Sequence, residues 1–176
     1  MAIHIIIDGY NLIKQSPVLS RLDHIDIEKG RDELISRLAD YKKVKKHGIT
    51  VVFDGCKGGG IKQERTKNRG IDIIFSKKGE EADEVIKRIV EVMRERIVVV
   101  TSDREIADFS ERRGAAVIPS GEFEMRMEMA VFSEEKGFDE ELDDEPIKKT
   151  IYTKKKGPSK KLPKSQRRAR IKIKKL

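Results

Sequence analysis

Ile3-His4-Ile5-Ile6-Ile7-Asp8-Gly9 is a short run of mostly β-branched residues that stops at an acid and a glycine. Such side chains suit a pleated strand, and a run apolar at successive positions leaves neither face for water. It predicts a strand buried on both sides. The pattern recurs at 49–53, which closes on Asp54-Gly55, at 71–75, at 97–100, which runs into Thr101-Ser102-Asp103, and at 115–118. Between these runs the apolar spacing changes to three and four. Ile27, Leu34, Ile35, Leu38, Tyr41 and Val44 give a helical stripe over 25–46, with Gly48 as a stop. Ala82, Val85, Ile86, Ile89, Val90 and Met93 give another over 80–96. A short helix carries Ile106, Ala107 and Phe109 and stops near Gly114. A last one, over 122–135, carries Phe123, Met127 and Ala130 or Val131.

Short apolar strands alternating with amphipathic helices predict an α/β fold: a mainly parallel five-stranded sheet covered on both faces. In such sheets the sites form beyond the carboxyl ends of the strands. The acids fall there. Asp8 ends the first strand and Asp54 the second, and Asp103 follows the fourth. Glu80, Glu81, Asp83 and Glu84 open the helix after the third. Each has a bland explanation: a turn residue, a helix-dipole partner, an N-cap. Their shared placement predicts that acids scattered in sequence meet at one rim. Carboxylates crowded together are stabilised by a divalent cation, and Mg²⁺ and Mn²⁺ prefer oxygen ligands.

Charge divides the chain of 176 residues, whose formal net charge is +8. Residues 146–176 hold 14 Lys or Arg and no acid, whereas 133–145 hold eight acids and one base. The sequence thus predicts a domain over 1–133, an acidic linker over 134–145 and a flexible basic tail over 146–176. Such a tail attracts polyanions and releases their counterions. Gly157, Pro158 and Pro163 oppose one continuous helix in it. The acidic stretch is a candidate competitor for the tail. Abundant Glu and Lys with scarce Asn, Gln and Cys suit heat adaptation. No apolar run approaches about 18 residues, which excludes a membrane-spanning helix. The start of the chain lacks a secretory pattern, so a cytoplasmic protein is expected. The single cysteine, Cys56, forms no internal disulfide or cysteine zinc site.

Four motifs in order, Asp8-Gly9-Tyr10-Asn11-Leu12-Ile13, Val52-Phe53-Asp54-Gly55, Glu80-Glu81-Ala82-Asp83-Glu84-Val85-Ile86 and Val100-Thr101-Ser102-Asp103-Arg104-Glu105, resemble the NYN domains of the PIN-like superfamily, closest to the bacterial YacP-like group. The resemblance covers roughly residues 3–132. It implies a PIN-like three-layer sandwich and a metal-dependent endoribonuclease, in a group that includes ribosome-associated enzymes cleaving mRNA. By motif position Asp8, Asp83 and Asp103 resemble the acidic Mg²⁺ or Mn²⁺ site. Asn11 resembles its polar support, and Glu80 and Asp54 are further candidates as ligands or outer acceptors. The glycine triplet Gly58 to Gly60 departs from the pattern.

The expected activity is hydrolysis of single-stranded RNA by metal-activated water. Lys62, Arg65, Lys67 and Arg69 are candidates to grip the backbone near the cleft. Lys154, Lys155, Lys156, Arg167, Arg168 and Arg170 of the tail add longer-range attraction. Tyr10 is either a base-stacking or a buried aromatic. The main rival is a PIN-like module that binds RNA or ribosomes without cutting. A phosphatase is disfavoured because Tyr10 stands where a second acid is wanted. Nucleotide binding is disfavoured because Gly55-Cys56-Lys57-Gly58-Gly59-Gly60 has neither phosphate-loop spacing. Cys56 has no histidine tied to it by sequence.

Overall fold

The computed structural model describes residues 3–55, 63–137 and 163–176. Six strands form one sheet: β1 (His4–Asp8), β2 (Gly48–Phe53), β3 (Glu64–Asn68), β4 (Ile71–Phe75), β5 (Ile97–Val100) and β6 (Ala116–Ile118), in the order β3-β4-β2-β1-β5-β6. All neighbours are parallel except β3 and β4. The α/β sandwich expected from the sequence is therefore present, with six strands rather than five.

The extra strand is β3. Its sequence, ERTKN, is exposed at every position, so it carries no apolar alternation to betray it. It pairs antiparallel with β4, Asn68 opposite Ile71, through a two-residue turn. Arg69 (φ 50°) and Gly70 (φ 83°) both take positive φ, the requirement of the primed turns that join twisted strands. Arg65 and Lys67, candidates to grip RNA, thus stand on the polar edge of the sheet.

Seven helices complete the described fold. α1 (Gly9–Gln15) and α2 (Pro17–Ile25) were not expected; α3 (Ile27–Lys45), α4 (Ala82–Met93), α5 (Arg104–Arg112) and α6 (Ser120–Lys136) were. Each of the first three starts on a capping side chain. Asp8 accepts the Asn11 N–H, Ser16 the Leu19 N–H, and Asp26 the Glu28 N–H. Ser16 followed by Pro17 at the first turn is a start signal in the sequence itself.

Alternate residues of β1 supply opposite faces of the core. Ile5 and Ile7 pack with Leu12, Leu34, Leu38 and Phe123 under α1, α3 and α6. Ile6 packs with Val85, Ile86 and Ile106 under α4 and α5. Gly9 is demanded by this packing, because a Cβ there would run into the Phe53 ring.

The seventh helix, α7 (Lys164–Lys174), corrects the expectation of a flexible tail for residues 163–176. It begins after Pro163 and docks with Ala169, Ile173 and Leu176, spaced four and three apart, against the core. Tyr41 Oη donates to the Leu176 carbonyl at 2.9 Å, and Arg126 donates to the Ile173 carbonyl at 3.1 Å. Arg168 pairs with Glu95 at 2.9 Å. No helix among the described residues is long and apolar enough to cross a membrane. Most of the predicted acidic linker, Lys62 and Lys154 to Lys156 lie outside the described residues.

Candidate active site

Because β1, β2, β4, β5 and β6 run parallel, the segments leaving them share one edge of the sheet. Asp8 sits there as the last residue of β1, buried at 7% exposure. Its Oδ1 accepts the Asn11 N–H at 3.2 Å, and its Oδ2 accepts the Thr101 hydroxyl at 3.4 Å. Burial pushes its carboxyl up to about 6; the Asn11 hydrogen bond opposes this, and the charges of Asp83 and Asp103 add to it.

Asp83 lies in the first turn of α4 and is half-buried. It too is raised, first by burial and then by Asp103, with Lys87 opposing. Asp103 caps α5, its Oδ1 accepting the N–H groups of Glu105 at 2.7 Å and Ile106 at 3.2 Å. The three aspartates therefore lie within electrostatic reach of one another. They do not close into a ready-made cage. Among the described residues no group of three or more His, Cys, Asp or Glu side chains is placed to hold a metal ion together. The donors suit Mg²⁺ or Mn²⁺ in kind, being carboxylates that repel one another, one of them buried at an energetic cost.

Two organising residues went unassigned. Thr101 is buried, and its hydroxyl joins two of the acids: it donates to Asp8 and accepts the Asp103 N–H at 3.1 Å. Lys87 is one helical turn beyond Asp83, pairs with Glu105, and is raised by that partner most and by Asp83 and Asp103 as well. The i to i+4 spacing of Asp83 and Lys87 was the available signal.

Asn11 acts by holding loops. Its Oδ1 accepts the Ser102 N–H at 2.9 Å and the Ser120 hydroxyl at 2.7 Å, while Ser102 Oγ accepts the Ser120 N–H at 3.1 Å. The segments after β1, β5 and β6 are thereby tied into one rim.

Glu80 is placed differently. It is buried at 3% exposure, pairs with Arg88, and is held below the usual carboxylate range by that guanidinium. Its Oε2 is buried without a hydrogen-bond partner. The Ser76 hydroxyl, which accepts the Gly55 N–H at 2.9 Å, donates to the Glu80 carbonyl at 2.6 Å, so this segment braces the loop after β2. Asp54 follows β2 and acts electrostatically on Tyr10. Tyr10 itself is buried, edge-on to Phe53 at 5.2 Å, and its hydroxyl accepts from Arg31 Nε at 2.8 Å. Of the two readings of Tyr10, the structure places it in the core.

The candidate RNA-gripping bases divide. Arg65 is exposed on β3, and Lys67 on the same strand faces Asp72 at 3.6 Å. Arg69 does not reach the rim. It turns at the opposite edge and donates to Ser36 at 2.8 Å, because the β3–β4 hairpin closes where β4 begins. Arg167 and Arg170 are exposed on α7, and Arg168 is engaged with Glu95.

The family model for YacP-like NYN domains matches residues 5–174, well past the stretch on which the sequence resemblance rested. The Bacillus subtilis (strain 168) protein YacP is 34% identical over 102 residues, which is 56% of this chain and 59% of that relative's length. A crystal structure of a point mutant of Rae1 (YacP) from Bacillus subtilis aligns with a TM-score of 0.66 at 28% identity, covering 76% of this chain and 80% of the other. A second structure of Rae1 (YacP) aligns with a TM-score of 0.63 at 31% identity, covering 78% and 79%. With a match that runs from β1 into α7, the chain belongs to the YacP-like NYN domain family, of PIN-like fold.

Proposed function

We propose that this chain is an endoribonuclease that hydrolyses single-stranded RNA with Mg²⁺ or Mn²⁺ at the Asp8–Asp83–Asp103 rim. One observation carries the proposal: at the carboxyl edge of the sheet the Thr101 hydroxyl bonds both the Asp8 carboxylate and the Asp103 N–H, and Asp83, in the first turn of α4, acts electrostatically on Asp8. Asp8, Asp83 and Asp103 would hold the cation. When bound, it would activate a water and neutralise charge on the phosphodiester.

The protein's own groups do the rest. Asp8 is buried, so its negative charge is unfavourable until a cation shares it. Thr101 keeps the Asp8 carboxylate and the Asp103 backbone in register. Asn11 fixes the segments that carry Asp8 and Asp103. Lys87, beside Asp83 and Asp103, is placed to meet a phosphate oxygen of the substrate. Glu80 and Asp54 flank the three as outer groups. Translated mRNA on ribosomes is the substrate context carried by the family resemblance.

A second reading has its own support. The described residues form no ready three-ligand metal group, which is what a PIN-like module that binds RNA without cutting would show. One experiment separates the two. Purified wild type and Asp8→Asn are incubated with labelled RNA, with Mn²⁺ or EDTA, and with or without ribosomes. Cleavage by wild type that needs Mn²⁺ and Asp8 supports the nuclease. Binding without cleavage in all conditions replaces it with the binder.

A further inference from the structure

The edge of the sheet opposite the acids is as one-sided in charge as the acidic rim. Segments 42–47, 94–96 and 111–114 enter or approach β2, β5 and β6 there. Residues 163–176 join them: Arg168 pairs with Glu95, and the Lys175 carbonyl meets His47 Nε2 at 3.2 Å. Together these four segments hold fifteen lysines and arginines against two acids, Glu95 and Glu111. At the carboxyl edge, segments 8–11, 53–55, 76–84 and 101–105 hold eight acids against three bases.

Part of this is ordinary. Cations at helix C termini offset the macrodipole, which accounts for Lys45 at the end of α3 and Arg112 at the end of α5. It also covers Lys172 and Lys174 in the last turn of α7, but not Lys164, Arg167, Arg168 and Arg170, which stand in the rest of that helix, where there is no acid. The helix is pinned by Ala169, Ile173 and Leu176, and it leaves Arg167, Arg170 and Lys174 exposed. Holding like charges in a fixed array is unfavourable by repulsion, and solubility alone would not require it.

We propose that this amino edge is a second RNA-contact surface, which takes a stretch of sugar–phosphate backbone other than the stretch at the acidic rim. Arginine is prominent on it, and the planar guanidinium fork matches phosphate oxygens. A lipid surface fits less well, because Ile171 is the exposed large apolar residue on the helix and an interfacial helix needs a whole apolar face. β1 is five residues long, so the edges are separated by roughly 17 Å of strand. An RNA touching both must extend over several nucleotides or fold back. The surface therefore selects for long or structured RNA and holds it while a single-stranded portion lies at the acids. This deepens the endoribonuclease reading and rests on the RNA-acting part of it.

The test uses the full chain carrying Asp8→Asn, so that nothing is cut. Fluorescence anisotropy measures its affinity for a short RNA and a long one (about five and about thirty nucleotides) across a salt series. The comparison protein also carries Arg167→Glu, Arg170→Glu and Lys174→Glu. The expected result is a loss of roughly tenfold or more for the long RNA, a shallower salt dependence by about two in log–log slope, and little change for the short RNA. Arg96→Glu alone, outside α7, gives a smaller loss in the same direction. If the triple charge reversal unfolds α7 by circular dichroism or thermal melting, the glutamine versions of the same three positions replace it, with the same expectation. Unchanged affinity and slope for the long RNA overturn the inference and leave the RNA-acting reading intact. Failure of the parent to bind either RNA overturns both. Loss of binding to phosphatidylserine vesicles with RNA affinity unchanged overturns the inference in favour of a membrane surface.

Discussion

The two edges of the sheet, one where helices start and one where they end, do opposite things with charge. At the carboxyl edge the three candidate aspartates are drawn inward, while Glu81, Glu84 and Glu105 stay exposed. Asp8 is buried, Asp103 is bound to the start of α5, and Thr101 lies between them. At the amino edge the cations are turned outward on helix ends and on α7. Inward charge is costly and becomes useful only when something shares it. Outward charge is cheap to hold and acts over the screening distance of the solvent. In the proposed reading one edge does chemistry on a phosphate and the other attracts phosphates.

The strongest way to break the comparison is at Asp8. Asp8→Asn or Asp103→Asn is expected to lower RNA cleavage roughly a hundredfold or more while RNA affinity stays level or rises. Cleavage by both variants at the wild-type rate, in protein free of host nucleases, would dissolve the distinction between the edges.

Next in size is a stability effect with a definite sign. The Asp8 carboxyl is raised from 3.8 to about 6 in the fold, so the native state binds a proton that the unfolded chain has released between those values. Stability therefore falls as pH rises from about 4 to about 6, by on the order of 3 kcal/mol from this group. Asp8→Asn, which stays neutral, is expected to melt several degrees above wild type at pH 7.5 and to lose that advantage near pH 4. Equal melting temperatures at both pH values would mean that Asp8 is not charged against a burial penalty.

The amino edge offers its own break. Leu176→Ala removes a buried anchor of α7 and is expected to cost about 2 kcal/mol, with faster amide exchange over 163–176 by mass spectrometry. Unaltered exchange there would mean that the helix does not depend on this contact.

The smallest effect sharpens the carboxyl edge alone. Thr101→Val keeps the shape and removes the hydroxyl between Asp8 and Asp103, for a loss of about 1–2 kcal/mol. Because that hydroxyl favours the charged form of Asp8, the Asp8 carboxyl is expected to rise further, as read by carboxyl carbon chemical shifts. An Asp8 titration that stays in place would remove Thr101 from the site.

Much of this layout could be read from the residues because the signals were local. The apolar runs that became β1, β2, β4, β5 and β6 needed only neighbours to declare them, and the acids at their ends followed from strand direction. β3 left no signal, since an edge strand with every side chain in water need not alternate; its one clue was the Arg69-Gly70 turn. α1 and α2 were announced by caps at Asp8 and Ser16, which are easily passed over as turn residues. α7 was hidden because the three apolar contacts of residues 163–176 sit among seven cations, and composition spoke louder than spacing. Around the candidate site, the placement of acids at the strand ends was legible and their bracing was not. The bonds from Asn11 to Ser102 and Ser120 join positions 91 and 109 residues apart, and Thr101 reaches Asp8 across 93. No spacing rule covers such distances.

The account turns on whether the three aspartates share a divalent cation. Mn²⁺ titration of the metal-free protein, followed by electron paramagnetic resonance, reads this without any substrate. Saturable binding that is lost in Asp8→Asn and weakened in Asp83→Asn and Asp103→Asn, while Glu80→Gln leaves it unchanged, is the expected result. Binding that is absent from wild type, or that persists undiminished in all three aspartate variants, would contradict it.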